Sequence, residues 1–355
     1  MKICRQPDFE PAKTAFMMPT AHGPCRFGQY APYLRHMLDQ MGLQDVMVFS
    51  PTSANGYDGF GENARELTKN LWMGVIAGDL ALKFLLKTRP YETQPGTSDQ
   101  VFQESIARFA QALSTPGLKT KTRLNELVKH ITQMRDQFRA VPASYVKGRP
   151  LIGLVGEIFC RLNTFSNDDV ARRIEKFGGE CWLSDVAEWV WYVNWYVEHK
   201  LVRNRGRLNT TMLTHKIKTH LQHKYEQILL APVLEDLRGY EEPHDIRDVL
   251  RQAEPYLPPT GCIGEMVLSV GKSIYLQKKG ADGIIDISPF TCMNGIVCEA
   301  VYPAISKAHE DLPIRICYFD GVNTHIDRDL EIFLDLARAY QRRKRRQRVY
   351  PAYFE

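Results

Sequence analysis

Residues 151–156 read Leu-Ile-Gly-Leu-Val-Gly, an uninterrupted apolar run that follows Gly148-Arg149-Pro150 and ends at Glu157. An apolar run of this length without polar alternation predicts a strand that is buried on both faces. Strands of this kind belong to parallel sheets that helices cover on both sides. The run therefore predicts an α/β fold in this part of the chain.

Strands and helices alternate on both sides of this run. Toward the N-terminus, residues 15–20 and 46–50 are apolar strand patterns with an amphipathic helical pattern between them. Toward the C-terminus, strand patterns at 181–183, 283–287 and 314–319 alternate with helical patterns. This alternation predicts α/β domains built on parallel sheets.

A domain boundary is predicted at Gly148-Arg149-Pro150, where a glycine and a proline favour a turn or loop. The predicted N-terminal domain is 1–148, with a helical insertion at about 62–145. The predicted C-terminal domain is 149–355, with a helical insertion at about 184–240. Two domains agree with the 355 residues of the chain, since single domains usually have ~100–200 residues.

The composition is that of a soluble globular protein, with 44% hydrophobic and 25% charged residues. The net charge is +5, and much of it comes from the basic run at 342–348. The rest of the chain has no matching basic stripe, so we interpret the run as the solvated end of a last helix and expect no nucleic acid partner.

No membrane or targeting segment is expected. The N-terminus lacks the apolar core of a signal peptide, and the apolar stretch 71–86 is interrupted by Asp79 and Lys83. We therefore expect a cytoplasmic protein. In a reducing compartment its eight cysteines are buried hydrophobes, metal ligands or redox groups rather than disulfides.

Two nucleotide-binding motifs are absent. The chain has neither a G-x-x-x-x-G-K-[ST] phosphate loop nor a G-x-G-x-x-G turn between a first strand and helix. These absences argue against ATP binding through such a loop and against a dinucleotide site.

Cys25 and Cys292 share one local setting, because each follows a predicted strand through a Pro-containing turn and precedes a predicted helix. Ligands of parallel sheets bind at such strand ends. The positive end of a helix favours the thiolate, which is the form that ligates iron, zinc or copper. We expect these two cysteines to face each other across the cleft between the predicted domains.

The sequence leaves more than one role open for the other candidate site residues. Cys262, in a Gly-Cys-Ile-Gly loop, and Cys4 are further candidate metal ligands. Glu157 and Glu265 are each either an acid or base at the cleft or a carboxylate at a helix start. The other four cysteines are predicted to be buried thiols.

Several segments resemble one known family. Residues 18–30, Met-Pro-Thr-Ala-His-Gly-Pro-Cys-Arg-Phe-Gly-Gln-Tyr, resemble the G-P-C-R-F-G-Q-Y motif of the 2-hydroxyacyl-CoA dehydratase component family. They resemble more closely the dehydratase-like C-terminal region of the large acyl-CoA dehydratase activases. Residues 153–168, 264–272 and 289–293 resemble further segments of the family in the same order, so the resemblance covers almost the whole chain.

The resemblance implies two flavodoxin-like or Rossmann-like domains that hold an iron–sulfur cluster, either 4Fe–4S or of the double-cubane type. It implies that an ATPase activator of the BadF/BcrA type delivers a low-potential electron to this cluster. The electron then serves a reduction or a radical dehydration of a CoA thioester. Carried over to this sequence, the resemblance makes Cys25 and Cys292 cluster ligands. Five further residues are predicted to bind the cofactor: Gly23, Pro24, Arg26, Glu157 and Glu265.

The chain departs from the family in two respects. Relatives carry a third cysteine in a Cys-x-Pro segment upstream of the Met-Pro-Thr strand, whereas here the upstream cysteine is Cys4, followed by Arg5-Gln6-Pro7. The ATPase module of the long activases is also missing from this sequence. Either Cys4 or Cys262 completes the ligand set, or a separate subunit supplies the rest, and we favour a split-gene subunit.

Three functional hypotheses follow. The first is an iron–sulfur electron-transfer subunit of a 2-hydroxyacyl-CoA dehydratase or ATP-dependent reductase system, with an ATPase activator and a dehydratase-like subunit as partners and an acyl-CoA as candidate substrate. The second is a structural or regulatory subunit of such a complex that holds no cluster. The third is an enzyme that uses Cys25 as a nucleophile.

Overall fold

The computed structural model describes residues 3–18, 20, 25–50, 64–206, 209–262, 264–321 and 326–354. Within these residues the chain forms six strands and twelve α-helices, and the strands pair only in parallel. The first half contains β1 (Ala15–Met17), α1 (Tyr30–Gln40), β2 (Met47–Phe49), α2 (Ala64–Thr88), α3 (Thr97–Ser114), α4 (Thr120–Arg139), β3 (Leu151–Gly156), α5 (Ile158–Leu162) and α6 (Val170–Lys176). The second half contains β4 (Glu180–Leu183), α7 (Val186–Arg205), α8 (Thr210–Leu230), α9 (Ile246–Ala253), α10 (Glu265–Lys279), β5 (Gly283–Pro289), α11 (Met293–Ala308), β6 (Ile314–Phe319) and α12 (Ile326–Arg343).

The N-terminal unit, up to Asn70, contains the predicted strand-helix-strand arrangement. Strand β1 pairs in parallel with β2, and Phe16 lies opposite Val48. Arg35 of α1 donates hydrogen bonds from Nη1 to the Val46 carbonyl at 2.5 Å and from Nη2 to the Leu43 carbonyl at 2.9 Å. These two bonds connect α1 to the chain that leads into β2.

The C-terminal unit, from Leu71 onward, contains a four-stranded parallel sheet in the order β4-β3-β5-β6. This order matches the first four positions of the flavodoxin-like order 2-1-3-4-5. Strand β3 is buried at every position, as its unbroken apolar sequence predicts. The fold is therefore α/β with two parallel sheets.

A layer of helices forms one of the hydrophobic cores of the C-terminal unit. It joins α2, α3 and α4 to α7 and α8. Trp72 packs edge-on against Trp191 with ring centroids 5.0 Å apart, and its Nε1 donates to the Gln222 carbonyl at 2.9 Å. Across the described residues, no helix combines the length and apolar character needed to cross a membrane.

The division between units differs from the predicted domain boundary. The contacts separate the chain between Asn70 and Leu71, whereas Gly148-Arg149-Pro150 suggested a break at 148–149. The physical reason is that the helices of 71–139 and those of 186–230 bury their apolar faces against each other in one core. Segments that were predicted to be separate insertions are therefore packed together in the C-terminal unit.

The basic run at 342–348 is partly buried rather than solvated. Lys344 is 4% exposed and pairs with Asp282 at 2.6 Å, and Arg348 is 8% exposed and pairs with Glu180 at 2.6 Å. Asp282 and Glu180 both lie at the amino ends of strands of the sheet. The interpretation as a solvated helix end is thus wrong for these two cations, which hold the chain that follows α12 against the sheet.

Candidate functional site

The carboxyl ends of β3 and β5 lie next to each other in the C-terminal sheet. The direction of the crossovers changes between these two strands, because β3 leads to β4 on one side and β5 leads to β6 on the other. Open α/β sheets bind ligands beyond the strand ends at such a position. Glu157 follows β3 and Cys292 follows β5, so two predicted site residues belong to this edge.

Gly156 allows a close approach between the two strand ends. Its φ of 116° lies in the region that favours glycine. A Cβ atom at this position would lie 2.2 Å from the carbonyl oxygen of Ile287. The next residue, Glu157, donates its backbone N–H to the same carbonyl at 2.9 Å. The glycine thus places Glu157 directly beside the end of β5.

The carboxylate of Glu157 is used at the start of α5. It accepts hydrogen bonds from the backbone N–H of Phe159 at 3.1 Å and of Cys160 at 2.7 Å. These donors have no partner inside the helix, so the carboxylate satisfies them. Of the two alternatives predicted for Glu157, the geometry favours the carboxylate at a helix start.

Glu265 begins α10 and connects it to α11. Its Oε2 accepts a hydrogen bond from Nδ2 of Asn294 at 2.7 Å. Burial raises the pKa of Glu265, and the negative charge of Glu157 adds to the rise, while its own N–H and the charge of Arg161 act against it. Glu265 therefore keeps its proton to a higher pH than an exposed glutamate does.

Cys292 is the residue before α11 and is partly exposed. The preceding Thr291 has a φ of 60°, a left-handed conformation that a β-branched residue adopts only under strain. Burial raises the pKa of the Cys292 thiol, and the nearby carboxylates of Glu157 and Glu265 add to the rise. The N–H groups of Gly295 and Asn294 lower it, but the net direction is upward.

The expectation that the helix start alone makes Cys292 a thiolate is therefore wrong for the free thiol. The two N–H groups act in the predicted direction. Their effect is smaller than the cost of burying a charge beside two carboxylates. A thiolate at this position needs a cation, such as a metal ion, to stabilise it.

The alkylation rate of the metal-free protein tests whether burial and the two carboxylates outweigh the N–H groups at Cys292. We expect Cys292 to react slowly with iodoacetamide near neutral pH, because only the thiolate is a nucleophile. Glu157→Gln and Glu265→Gln are each expected to speed the reaction by roughly threefold or more, because loss of the negative charge lowers the pKa of Cys292. The rate at each cysteine is read by mass spectrometry of its peptide.

The matched control is Glu299→Gln. Glu299 lies on α11, the helix that follows Cys292, and its carboxylate accepts a hydrogen bond from the Tyr318 hydroxyl at 2.8 Å. This variant is expected to leave the rate at Cys292 unchanged. A rate at Cys292 that is already maximal at neutral pH and insensitive to all three substitutions would contradict the argument.

The other predicted site residues are placed as follows. Cys25 and Arg26 lie in the N-terminal unit, where Cys25 precedes a 3-10 turn, Arg26–Gln29, rather than α1 itself. Cys4 lies in another short 3-10 turn of this unit. Cys262 lies in the loop before α10 and packs against the apolar cluster around Tyr192. Gly23 and Pro24 lie outside the described residues.

The four remaining cysteines are buried, as predicted. Cys160, Cys181 and Cys317 belong to one apolar cluster, and Cys298 belongs to another. Burial raises the pKa of all four thiols. They are therefore apolar core residues in this structure.

Asp286 is a site residue that the sequence reasoning missed. It lies inside β5 and is 1% exposed. Its carboxylate accepts hydrogen bonds from Ser288 Oγ at 3.0 Å and from the hydroxyl of Tyr302 at 2.6 Å, and burial raises its pKa. The signal was present in the sequence, because a charged residue inside a buried strand is rare and needs partners.

The sequence reasoning also missed a network of buried charged side chains near the start of α7. Lys83 pairs with Asp185 at 2.9 Å and with Glu242 at 2.7 Å. Lys272, which is fully buried, pairs with the same Glu242 and with Glu188 at 2.9 Å. The available signal was the pair of charges, Asp79 and Lys83, inside the apolar stretch 71–86.

No group of three or more His, Cys, Asp or Glu side chains arranged to hold a metal ion occurs among the described residues. Comparisons with protein-family models, curated proteins and solved structures found no match to this chain.

Proposed function

We propose that the protein is an iron–sulfur electron-transfer subunit of a 2-hydroxyacyl-CoA dehydratase-like or reductase-like complex. In this proposal an ATPase activator of the BadF/BcrA type supplies low-potential electrons, and a dehydratase-like subunit and an acyl-CoA are the other partners. The observation that carries the proposal is the position of Cys292 at the start of α11 and at the carboxyl edge of the sheet, where two N–H groups act on its sulfur. The resemblance of the segments around Cys25 and Cys292 to the family supports it.

Cys292 fits the role of one cluster ligand, but the described residues do not provide a complete ligand set. Iron–sulfur clusters are held by cysteine thiolates, and a bound metal favours deprotonation of the thiol. The proposal assigns one thiolate each to Cys25 and Cys292. Further ligands come from Cys4, from Cys262 or from the partner subunit.

The groups near Cys292 would have opposite effects on how strongly a bound cluster attracts an electron. The N–H groups of Asn294 and Gly295 stabilise added negative charge at the sulfur, which makes reduction easier. The carboxylates of Glu157 and Glu265 disfavour added negative charge, which makes reduction harder. A bound cluster would supply one-electron transfer here. The protein groups adjust how strongly the electron is held.

Iron analysis of anaerobically purified protein tests the proposal. The wild-type protein, expressed with its ATPase and dehydratase-like partners, is expected to be brown and to contain iron and sulfide. Cys25→Ala and Cys292→Ala are each expected to lose most of the iron, because each removes a ligand. The matched control is Cys317→Ala, which changes a buried core cysteine and is expected to keep the iron.

Two results would contradict the proposal. One is a colourless wild-type protein that lacks iron both alone and with its partners. The other is an equal loss of iron in Cys317→Ala, which would mean that the loss reports general damage to the fold rather than removal of a ligand.

The second candidate function is a structural or regulatory subunit that holds no cluster. It is favoured by the raised pKa of Cys292, because the thiolate rather than the thiol is the metal ligand. A complex that keeps all of its iron when Cys25 and Cys292 are both changed to Ala would support this function over the first.

A further inference from the structure

The helical hairpin formed by α7 and α8 carries charge of one sign at its far end. Residues 199–225 contain seven Lys and Arg residues and neither Asp nor Glu, whereas the whole chain has a net charge of +5. Apolar residues are interspersed among these cations, so the sequence reasoning did not recognise them as a basic stripe. This end of the hairpin is therefore a positively charged surface that the function proposed above does not use.

Most of these cations have no partner in the described part of the chain. Five of them are exposed and form no ion pair and no side-chain hydrogen bond with any residue that the structure describes: Lys200, Arg203, Lys216, Lys218 and Lys224. Exposed cations elsewhere do pair, as Lys176 does with Asp327 at 3.3 Å. Like charges that are gathered on one surface repel each other, so this surface is complementary to an acidic partner.

Helix α8 uses one of its faces for the fold. Met212 and Gln222 are buried. Asn194 of α7 donates from Nδ2 to Gln222 Oε1 at 3.0 Å, and its carbonyl oxygen lies 3.0 Å from His215 Nε2. Positions 212, 215 and 222 lie on one side of a helix with 3.6 residues per turn. This side packs against α7 and leaves the opposite side of α8 outward.

A row of exposed aliphatic side chains follows the outward side of α8. Leu213, Ile217 and Leu221 are spaced four residues apart and are 61%, 53% and 36% exposed. At 1.5 Å per residue the row is about 12 Å long, and at 100° per residue Lys216 and Lys218 lie on either side of it. Single exposed apolar residues are ordinary. An aligned row with charges on both sides is the pattern of a helix–helix contact.

Charge and shape favour a helix of another protein over other occupants of this face. Two copies of this chain placed face to face would bring like charges together. Helices that lie on membranes commonly insert Trp or Phe beside Leu, and α8 contains neither Trp nor Phe. Nucleic acid backbones are contacted by charged and polar groups, which leaves the aliphatic row without a role.

We propose that the outward side of α8 docks an acidic amphipathic helix of a partner protein. The apolar side of that helix packs along Leu213, Ile217 and Leu221, and its Asp and Glu side chains pair with the surrounding lysines. These residues are separate from Cys25 and Cys292, so the docking surface does not depend on the iron–sulfur proposal.

Fluorescence anisotropy with a synthetic peptide probe tests the proposal. The probe is a labelled helix of about 20 residues, with leucine at every third or fourth position and glutamate on both flanks. It is expected to bind the full-length protein with a Kd of micromolar order and to bind more weakly as sodium chloride is raised. A peptide of the same composition, scrambled so that its leucines no longer share a face, is expected to bind at least tenfold more weakly.

Substitutions in α8 separate the apolar row from the charges. Ile217→Asp is expected to weaken binding of the probe by roughly tenfold or more, with an unchanged melting temperature because the side chain is exposed. The double variant Lys216→Glu/Lys218→Glu is expected to lose the probe and to bind a version with lysine in place of glutamate better than the wild type does.

The matched controls change side chains on other helices. Leu336→Asp replaces a leucine of α12 that is 55% exposed. Lys307→Glu reverses an exposed charge on α11. Both variants are expected to bind the probe as the wild type does.

Four outcomes would overturn the proposal. The first is no binding of the probe, and the second is equal binding of the scrambled peptide. The third is tighter binding of duplex DNA, or of phosphatidylserine vesicles, than of the probe. The fourth is a dimer in sedimentation experiments that Ile217→Asp dissociates, which would make a second copy the occupant. Iron content plays no part in these measurements, so either proposal can fail without the other.

Discussion

Glu180→Gln is expected to destabilise the protein by about 3–5 kcal/mol, because it leaves a buried guanidinium without its carboxylate. Glu180 is the first residue of β4 and is fully buried. Its carboxylate pairs with Arg348 Nη2 at 2.6 Å and accepts hydrogen bonds from the hydroxyls of Tyr91 and Tyr240, the first at 2.5 Å. One side chain thus connects three distant parts of the sequence to the sheet.

Urea unfolding followed by circular dichroism measures this loss as a lower midpoint at unchanged slope. The double variant Glu180→Gln/Arg348→Met is expected to recover part of the loss, because it removes the unpaired charge as well. The guanidinium of Arg348 lies 5.1 Å from the ring centre of Tyr240 and 4.7 Å from that of Tyr350, and a methionine side chain retains apolar contact with both rings.

The matched control is Asp329→Asn, which breaks the pair between Arg315 and Asp329. Their side chains are 42% and 44% exposed, so the expected loss is about 0–1 kcal/mol. A loss below about 1 kcal/mol for Glu180→Gln, or a double variant less stable than the sum of the single changes, would show that burial does not set the strength of this pair.

Asp79→Asn is expected to remove a pH dependence from the stability of the protein. Burial raises the pKa of Asp79 from 3.8 to about 8, and the neighbouring charge of Asp185 adds to the rise. The carboxyl group accepts hydrogen bonds from the backbone N–H of Val186 at 3.0 Å and of Ala187 at 2.9 Å. Asp79 on α2 thereby caps the start of α7.

The sign of the effect follows from proton binding. Between pH 3.8 and about 8 the folded protein holds a proton on Asp79 that the unfolded chain releases. The contribution of Asp79 to the free energy of unfolding therefore decreases as the pH rises, by up to about 1.4 kcal/mol per pH unit. Asparagine cannot ionise, so the variant lacks this decrease.

The measured quantity is the difference in free energy of unfolding between the variant and the wild type from pH 5 to pH 8. At the acidic end the variant is expected to be less stable by about 1 kcal/mol, since an amide accepts only one of the two cap hydrogen bonds. The difference should then move in favour of the variant as the pH rises. At the alkaline end the variant is expected to equal or exceed the wild type.

The control here is Asp245→Asn at the start of α9. Asp245 caps its helix through Arg247 N at 2.9 Å, and its side chain is 48% exposed. Its replacement is expected to cost a similar cap energy with no change across the same pH range. A pH-independent difference for Asp79→Asn would mean that Asp79 is ionised in the folded protein.

The helices and strands were largely predictable from local pattern. The apolar run at 151–156 forms β3, and the strand patterns at 283–287 and 314–319 lie within β5 and β6. These predictions succeeded because a buried parallel strand needs apolar side chains on both faces, and that requirement is visible in consecutive residues. The position of Cys292 before α11 was predicted in the same way.

The division of the chain was not predictable from local pattern. Gly148-Arg149-Pro150 looks like a boundary, yet the helices on both sides of it share one core. A turn ends a helix or strand, but it does not determine which apolar faces pack together afterwards. The pairing of residues such as Trp72 and Trp191, more than a hundred positions apart, is a property of the packed core.

The candidate site was predictable only in part. The cysteines and the two glutamates were visible as residue types, whereas the burial of Arg161 and of Ser184, whose hydroxyl has no hydrogen-bond partner among the described residues, was not. A sequence shows that an arginine is present, but only the folded structure shows that it is buried. The direction of the Cys292 pKa was likewise wrong from sequence, because burial raises it and two carboxylates from other segments add to the rise.

The sequence by itself determined the α/β class, the strands that form the sheet and the cysteine at the carboxyl end of β5. These features follow from the hydrophobicity and the turn propensity of neighbouring residues, which act over short distances along the chain. Tertiary structure alone decided the unit boundary, the ion pairs of the buried Lys344 and Arg348, and the burial of Arg161. All three depend on which residues from distant positions of the chain are packed together. Packing sets both the burial of a group and the charges next to it.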